Sequence, residues 1–302
     1  MASGDSQVRL GAHPGFPLTP RKVRRMNFQD AMRYRLPDDG EMRIAVSVIS
    51  LSSASERRST TSAMLKGQGL AWSFFDAHTS VDCEGLHYDE GIARRCFGRA
   101  LTMPEKACYS SHYAVWKAFL EQGQSDYLLV LEDDLIIDLD FPLPRFVAFC
   151  RVFGIDYVRL FGKHFAPAAR LGFFFDRSLV RFTTSPAGTQ AYLLSVEGAR
   201  RLVESCRSLN MAIDLAMDRF WDTGLPLYSI FPYPVIERFV PTQIPIPDAG
   251  VPLSKGEQWD YNFRRSINKV RKIRANSKLV RADARMRSAV PCFHQIVGGV
   301  ER

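Results

Sequence analysis

Three consecutive carboxylates, Glu132, Asp133 and Asp134 (the acidic run), follow an apolar segment that begins at Tyr127 and is typical of a buried strand. Burying one unpaired carboxylate costs several kcal/mol, so three of them beside a core strand imply a cation that neutralises their charge. Carboxylate oxygens suit Mg²⁺ or Mn²⁺ better than zinc, and these ions usually keep open positions for phosphate oxygens. The acidic run therefore predicts a divalent-metal site for a phosphate-bearing substrate, and the alternative is an acidic turn in solvent.

The length and composition favour a globular protein with a sizeable core. The chain has 302 residues, of which 46% are hydrophobic and 24% are charged, and this length allows one large domain or two small ones. No apolar segment approaches the roughly 18 residues of a membrane-spanning helix, and the N-terminus lacks the apolar core of a signal peptide. The 6 cysteines lack the short spacings of zinc or redox motifs, which predicts free thiols in a reducing compartment. We therefore expect a cytoplasmic protein.

The positive charge is concentrated near the C-terminus. The net charge is +8, and ten basic residues lie between Arg264 and Arg287, with Asp283 the only acid among them. Such a segment binds nucleic acid, an anionic membrane surface or an acidic substrate, or it is a solvated charged helix. It lacks interleaved aromatic residues, and the chain lacks a recognisable nucleic-acid-binding motif, so we expect no nucleic-acid partner.

Strand and helix patterns alternate along the central part of the chain. Helices are predicted to begin at the capping boxes Ser53-x-x-Glu56 and Thr102-x-x-Glu105, at Ser195 and near Asp214, with the Ser195 helix running to about Leu209. The predicted strands cover residues 43–51, 71–77, 127–131, 157–161 and 188–194. This alternation predicts an α/β domain with a mainly parallel sheet, in which ligands bind beyond the carboxyl ends of the strands. The acidic run would lie at that edge.

The same patterns divide the chain into three parts. Residues 1–41 are predicted to be a loosely ordered basic extension, with a short helix around Phe28–Tyr34. Residues 42–250 hold the predicted catalytic domain, and residues 251–302 are a basic C-terminal tail.

Several short motifs follow one another over about residues 43–236. They are Val48-Ile-Ser-Leu51, Glu56-Arg-Arg58, Phe74-Phe-Asp-Ala77, Leu101-Thr-x-Pro-Glu105, Cys108, Ser111-His112, Trp116-Lys-Ala118, Leu129-Val-Leu-Glu-Asp-Asp134, Gly188-Thr-x-Ala-Tyr192, Gly198-Ala and Asp214. In this order they resemble glycosyltransferase family 25, which includes bacterial lipooligosaccharide galactosyltransferases. The chain departs from the family at Ser50-Leu51-Ser52, where Asn-Leu-Asp is frequent, and at Ala107, where Gly is usual.

The resemblance implies a GT-A-like (Rossmann-like) sheet flanked by helices, a nucleotide-sugar donor, usually Mn²⁺ (or Mg²⁺), and inversion at the anomeric centre. A metal would stabilise the charge that develops on the leaving diphosphate. By the family pattern Asp134 is the direct metal ligand, while Asp133 and Glu132 bind the ion through water or hold the ribose. Asp214 is the expected base for the acceptor hydroxyl, with Asp218 as the fallback, and an N-cap is the alternative role of Asp214.

The remaining candidates belong to the donor or acceptor side of this site. His112 is either a core histidine or a contact of the sugar or phosphate, and Lys163 and His164 follow a strand from which they could reach the diphosphate. Arg57 and Arg58 either meet the nucleotide phosphates or lie on a solvated helix face. The other residues expected to bind the donor or shape the acceptor edge are Ser111, Gly188 and Thr189.

The expected function is transfer of galactose from UDP-galactose onto a cell-surface glycan or a lipooligosaccharide (an oligosaccharide or lipid-linked acceptor). The alternatives are a metal-dependent phosphoesterase or nuclease, and a nucleic-acid- or glycan-binding protein without catalysis. The basic tail predicts peripheral association with the cytoplasmic face of the inner membrane, which is anionic. If the tail is helical, Ile267, Val270 and Ile273 add apolar contact there or pack on the domain.

Overall fold

The computed structural model describes residues 42–67, 69–238 and 251–290, which form a large sheet with helices on both faces. The strands are β1 (Ile44–Ser50), β2 (Trp72–Asp76), β3 (His87–Tyr88), β4 (Tyr127–Glu132), β5 (Leu135–Ile137), β6 (Tyr157–Arg159), β7 (Ala168–Phe174), β8 (Arg177–Phe182), β9 (Ala191–Ser195), β10 (Ser208–Leu209), β11 (Tyr228–Phe231) and β12 (Val235–Glu237). The helices are α1 (Ser55–Leu65), α2 (Glu90–Phe97), α3 (Met103–Gln122), α4 (Leu143–Phe153), α5 (Val196–Ser205), α6 (Ile213–Met217), α7 (Phe220–Thr223) and α8 (Lys255–Ala289). The predicted extension, residues 1–41 with its helix around Phe28–Tyr34, lies outside the described residues.

β4 lies in the centre of the core because its apolar segment is buried on both faces of the sheet. Leu128 and Val130 pack into one apolar cluster with residues of α3 and α5, whereas Leu129 and Leu131 pack into a second cluster with residues of α4. Successive side chains of a strand point to opposite faces, which is why a strand covered on both sides has a continuous apolar sequence. The strand ends at Glu132, where this sequence gives way to the acidic run.

In the described part of the chain, the eight strands of the large sheet have the order β2-β1-β4-β9-β6-β11-β8-β7. Three neighbouring pairs are parallel (β1–β2, β1–β4 and β6–β11), and the other four are antiparallel. The sheet is therefore mixed, which corrects the prediction of a mainly parallel sheet. β9 is the main cause, because it runs opposite to both β4 and β6 and separates two groups of parallel strands.

The β7–β8 hairpin at the edge of this sheet is not evident from the sequence. Its two-residue turn consists of Phe175 and Asp176, and Phe175 adopts a positive φ of 52°. Such turns are normally recognised from Asn-Gly or Asp-Gly, which accept a positive φ without strain. Because an aromatic residue occupies the turn, sequence patterns do not predict this hairpin.

The helix boundaries agree with some of the predicted caps. Thr102 and Glu105 form the predicted capping box of α3, and Ser195 caps α5 by accepting a hydrogen bond from the Gly198 N–H. The capping box predicted at Ser53 is wrong, because Ala54 is the N-cap of α1. A turn in which the Ala54 N–H donates to the Leu51 carbonyl moves the start of the helix one residue further on. α5 ends at Ser205 rather than near residue 209, because residues 208–209 pair with β3 as β10.

The basic tail forms α8, a helix of 35 residues that is packed against the domain. Asp283 on α8 makes a buried, bidentate ion pair with Arg181 of β8, and both N–O distances are 2.7 Å. Near the start of the helix, Glu257 accepts from Arg94 of α2 at 2.7 Å and 3.0 Å. The inner face of α8 is therefore part of the fold. None of the helices in the described ranges is both long and apolar enough to cross a membrane.

We expect Asp283→Ala to lower the free energy of unfolding by about 3–5 kcal/mol, because it leaves the buried guanidinium of Arg181 without its partner. The matched control is Arg281→Ala, which removes an exposed charge two residues away on the same helix and should change stability by less than about 0.5 kcal/mol. Urea denaturation of both variants measures the difference. Equal stability of the two variants would contradict the docked position of α8.

Candidate active site

The acidic run lies at the carboxyl edge of the sheet, as the sequence predicts. β1 and β4 are parallel neighbours in which Ile49 pairs with Glu132, so Ser50 and Asp133 emerge side by side at the ends of their strands. The segment that leads into β9 reaches the same edge, because the Glu132 N–H donates to the Gln190 carbonyl at 2.8 Å. Two parallel strands and one antiparallel strand thus bring their polar ends together.

Asp133 is held in place by neighbouring side chains. The hydroxyl of Ser50 donates to one carboxylate oxygen at 2.6 Å, and Arg57 Nη1 donates to the other at 3.0 Å. Thr61, which lies on α1 like Arg57, donates to the backbone carbonyl of Asp133 at 3.3 Å. Because Asp133 is only 7% exposed, a charged partner of this kind is needed for its burial. Asp133 therefore anchors the turn to β1 and α1.

Asp134 is the member of the acidic run whose charge is least compensated. Its Oδ1 atom is buried and has no hydrogen-bond partner among the described residues, and Arg57 Nη1 is 3.5 Å from its Oδ2 atom. Burial and repulsion from Glu132 raise the pKa of Asp134 to about 7, although Arg57 opposes the rise. A buried oxygen that lacks a donor is the arrangement that a cation would complete.

Glu132 faces the other side of the site. One of its carboxylate oxygens, Oε1, accepts a hydrogen bond from the Thr189 hydroxyl at 2.6 Å and lies 3.5 Å from His112 Nε2. Burial alone would raise the pKa of Glu132, but His112, the Thr189 hydroxyl and the charge of Lys163 outweigh it and hold the pKa below its ordinary value. Glu132 therefore remains a carboxylate, and Lys163 lies within electrostatic reach of it.

His112 is a buried connection between the core and Glu132. Its Nδ1 atom is 2.8 Å from the Tyr192 hydroxyl, which also accepts a hydrogen bond from Trp116 Nε1 at 2.8 Å. The Nε2 atom of His112 faces Glu132 and is buried without a hydrogen-bond partner among the described residues. The residue is 0% exposed, so it borders Glu132 from the core side of the site.

Asp214 is connected to the acidic run through the loop before β9. Its Oδ2 atom accepts a hydrogen bond from the Gly188 N–H at 2.9 Å, and the next residue, Thr189, binds Glu132. Gly188 has a φ of 85°, and a Cβ at this position would approach the Gln190 side-chain oxygen to 2.6 Å, so the loop requires glycine. The N-cap of α6 is Ala212, so Asp214 does not have the capping role considered above.

Asp218, the fallback base, is engaged in a buried ion pair. Arg159 on β6 donates to its Oδ1 atom through Nε at 2.9 Å and Nη2 at 2.6 Å, and the Ser185 hydroxyl donates to its Oδ2 atom. Asp218 is 2% exposed, and Arg159 Nη2 also donates to the Asp214 carbonyl at 3.2 Å. Asp218 therefore fixes the position of the segment that carries Asp214, and both of its carboxylate oxygens are already bonded.

Two further predicted site residues hold the ends of the strands. Arg58 donates to the carbonyls of Ser50 and Leu51 at 2.8 Å and 3.0 Å and pairs with Asp76 at the end of β2. Ser111 accepts a hydrogen bond from the His78 N–H at 2.8 Å and thereby fixes the loop after β2. Of the two neighbouring arginines, Arg57 is the one that points at the acidic run.

Three polar residues near the site were not among the sequence-predicted candidates. Arg159 Nη1, Gln190 Oε1 and the Tyr233 hydroxyl are buried and have no hydrogen-bond partner among the described residues. The Gln190 amide lies beside Gly188, and the Tyr233 hydroxyl lies beside Gly162, where a Cβ would approach it to 2.5 Å. An arginine within the apolar β6 sequence is a detectable signal, whereas no sequence pattern marks Gln190 or Tyr233.

The donors at the acidic run fit a hard divalent cation. Asp134 supplies an unpartnered oxygen, and Glu132 and Asp133 add negative charge within the same turn. Glu132 and Asp133 are themselves bound to Thr189 and Ser50. In the part of the chain that the structure describes, there is no group of three or more His, Cys, Asp or Glu side chains arranged to hold a metal ion by themselves.

Comparison with known proteins gives one family match and several similar sequences. Residues 44–150 match the family model described as glycosyltransferase family 25 (LPS biosynthesis protein). The lacto-N-neotetraose biosynthesis glycosyltransferase LgtE of Neisseria meningitidis is 29% identical over 201 residues, which cover 61% of this chain and 71% of that protein. The lipooligosaccharide biosynthesis protein lic2B of Haemophilus influenzae is 26% identical over 194 residues, or 56% of this chain and 68% of that protein.

A solved structure of a glycosyltransferase involved in the glycosylation of the major capsid of PBCV-1 aligns with a TM-score of 0.30 and 13% sequence identity. The alignment covers 53% of this chain and 65% of that chain.

The sequence matches define the class of protein: the chain is a glycosyltransferase. Residues 44–150 are a glycosyltransferase family 25 domain, which confirms the resemblance indicated by the motifs. This domain contains α1, β4 and the acidic run, together with the anchoring residues Ser50 and Arg57.

We expect Asp134→Asn to stabilise the metal-free protein at about pH 8 by about 1–2 kcal/mol after allowance for solvent screening, or about 2–8 °C in Tm. The pKa of the Asp134 carboxyl is about 7 in the folded state and near its ordinary value of 3.8 in the unfolded state, so the folded state binds more protons between these pH values. Stability contributed by Asp134 therefore falls as pH rises through this window, and the advantage of Asn should disappear at about pH 4.

Thermal unfolding in EDTA at both pH values measures this effect. The contrasting variant is Asp133→Asn, which weakens the bonds to Ser50 and Arg57 and should lower stability by about 1.5–3 kcal/mol. A loss of stability in Asp134→Asn at about pH 8 would show that Arg57 already compensates the Asp134 charge.

Proposed function

We propose that this glycosyltransferase is an inverting enzyme with a GT-A-like catalytic domain, and that it transfers galactose from UDP-galactose onto a lipooligosaccharide acceptor. The acceptor class is supported by LgtE and lic2B, whose names refer to lacto-N-neotetraose and lipooligosaccharide biosynthesis. The donor sugar and the inversion rest on the resemblance to family 25 galactosyltransferases. The cytoplasmic location expected from the sequence is part of this proposal.

The observation that carries the proposal is the buried Oδ1 atom of Asp134, which has no hydrogen-bond partner among the described residues and lies beside two anchored carboxylates. Asp134 would be the direct protein ligand of Mn²⁺ or Mg²⁺, ions that usually keep open positions for water and phosphate oxygens. When bound, the ion would supply electrostatic stabilisation of the diphosphate as it leaves. Ser50 and Arg57 hold Asp133, so the backbone that carries Asp134 is fixed before the donor arrives.

The cations near the acidic run are suited to the donor side of the site. Arg57 contacts Asp133 and Asp134 from α1, and the charge of Lys163 acts on Glu132 from the loop after β6. In the proposed function the Lys163 ammonium binds diphosphate oxygens on the side opposite Arg57. Glu132, kept ionised by its neighbours, then accepts hydrogen bonds from ribose or sugar hydroxyls.

Inversion requires a base on the face of the sugar opposite the leaving diphosphate. We assign this role to Asp214, whose carboxylate bonds the Gly188 N–H on the β9 side of the site. The proton of the acceptor hydroxyl would move to an Asp214 oxygen as the new glycosidic bond forms at the anomeric carbon. Asp218 cannot take this role while Arg159 occupies its carboxylate. Gln190 and Tyr233, with buried unpartnered polar atoms, are suited to binding acceptor hydroxyls.

We expect Asp134→Ala to abolish metal-dependent transfer while the fold remains intact. Loss of one charge-stabilising group typically costs about 10²–10³-fold in kcat, and losing the only direct protein ligand should cost at least that. The measurement is release of UDP and transfer of galactose with Mn²⁺, Mg²⁺ or EDTA, together with circular dichroism. Asp140→Ala, which removes an exposed carboxylate nearby, is the control and should keep full activity. Wild-type activity that EDTA does not change would contradict the metal role.

We expect Asp214→Asn to lower kcat by about 10²–10⁴-fold with little change in donor binding, because the amide cannot accept the proton. The thermal midpoint should fall only slightly, because the amide oxygen can still accept from the Gly188 N–H, while the amide NH2 faces the Leu215 N–H and loses that one bond. Asp218→Asn should lower the thermal midpoint further, because it breaks a buried ion pair. Normal turnover of Asp214→Asn would assign the base to another residue.

A further inference from the structure

The outer face of α8 carries an apolar stripe that faces solvent. Six large apolar side chains on this helix are between 42% and 68% exposed: Trp259, Phe263, Ile267, Val270, Ile273 and Val280. Their successive spacings of three, four and seven residues match the helical repeat, so they lie along one side of the helix. From Trp259 to Val280 the stripe is about 31 Å long, and its first two rings stack with their centroids 5.3 Å apart.

Among the described residues, the stripe takes no part in the packing of α8 on the domain. The residues by which α8 packs on the apolar cores of the domain are Ala275, Leu279 and Met286, which lie on the opposite side of the helix. Buried polar contacts reinforce the same inner side, with Asp283 bound to Arg181 and Asn276 bound to the Thr183 carbonyl. A helix with one apolar side docked and a second apolar side in water is typical of a surface that meets another phase or partner.

The acidic residues of α8 are paired, whereas several of its basic residues are not. All three acidic residues of the helix contact arginines of the protein: Glu257 binds Arg94, Asp260 binds Arg95 and Arg264, and Asp283 binds Arg181. The exposed basic residues flank the apolar stripe instead. Arg274, Lys278, Arg281 and Arg285 follow one another at spacings of four, three and four residues along one flank, and Lys269 lies on the other. These five make no ion pair with another described residue.

We propose that the outer face of α8 binds the surface of an anionic phospholipid membrane. In this arrangement the stripe from Trp259 to Val280 enters the boundary between head groups and acyl chains, and the flanking lysines and arginines contact lipid phosphates. An apolar stripe between basic flanks fits a membrane surface. A nucleic acid would bind the basic side chains but would have no use for the aliphatic stripe. The proposal does not depend on the sugar-transfer reaction.

The docked inner face makes this a preformed binding surface. Because Asp283 and Glu257 already fix α8 on the domain, the helix does not have to fold when it meets the membrane, which reduces the entropic cost of binding. The helix lies parallel to the membrane in this arrangement and does not cross it. For a lipid-linked acceptor, such a surface would keep the enzyme in the plane where the acceptor is found.

The test uses the full chain and sedimentation with vesicles of phosphatidylcholine alone or of phosphatidylcholine mixed with phosphatidylglycerol. The apolar variant combines Trp259→Ser, Phe263→Ser and Val270→Ser, and the charge variant combines Arg274→Gln, Lys278→Gln, Arg281→Gln and Arg285→Gln. The matched control combines Val152→Ser and Arg200→Gln, which change an exposed apolar and an exposed basic residue on α4 and α5. We expect wild type and control to bind the anionic vesicles, and both α8 variants to bind at least about tenfold more weakly.

Two further measurements separate the possible outcomes. In the wild type, anionic vesicles should shift tryptophan emission to shorter wavelength, and Trp259→Phe should remove most of that shift. Analytical ultracentrifugation of wild type and apolar variant tests whether a second copy covers the stripe. Absence of wild-type binding, equal binding to both vesicle types, unchanged binding by both α8 variants, or a wild-type dimer that the apolar variant converts to monomer would each overturn the proposal. Because binding is measured without donor or acceptor, failure of the proposed transfer reaction would leave these results unaffected.

Discussion

The hydrogen bonds that Ser50 and Arg57 make to Asp133 are the interaction on which the site depends. Three carboxylates in sequence cannot all be buried at the end of a strand without compensation. Here the middle carboxylate is neutralised from α1 and tied to β1, and Glu132 is held by Thr189. The third, Asp134, keeps an oxygen without a partner among the described residues. The fold thus supplies a carboxylate whose compensation would come from a bound ion.

The second half of the site depends on β9. Because β9 runs antiparallel to β4, the loop that precedes it arrives at the carboxyl edge of the sheet, where Gly188 and Thr189 lie between Asp214 and Glu132. A parallel strand in this place would have brought its carboxyl end to that edge instead. The reversed strand is therefore the reason that one short segment can contact both the proposed base and the acidic run.

The sequence was sufficient to predict the central strand with its acidic edge and the start of α3, because each has a strong local signal, and the order of the motifs was sufficient to predict the class of enzyme. The continuous apolar sequence of β4 and the Thr102 capping box are such signals. The reversal of β9 and the β7–β8 hairpin could not be predicted, since strand direction depends on long-range pairing and the turn at Phe175 lacks the usual residues. The difference between Asp214 and Asp218 also required the structure, because it depends on Arg159, which is distant in sequence.

The most direct test of the account is the position of a bound ion. Crystals of the protein grown with Mn²⁺ and UDP, measured near the manganese absorption edge, would locate the ion by its anomalous scattering. The account predicts one peak at bonding distance from Asp134 Oδ1 and from oxygens of the diphosphate, with Asp133 still bound to Ser50 and Arg57. A peak bound elsewhere, or UDP bound at this edge with no ion between it and Asp134, would contradict it.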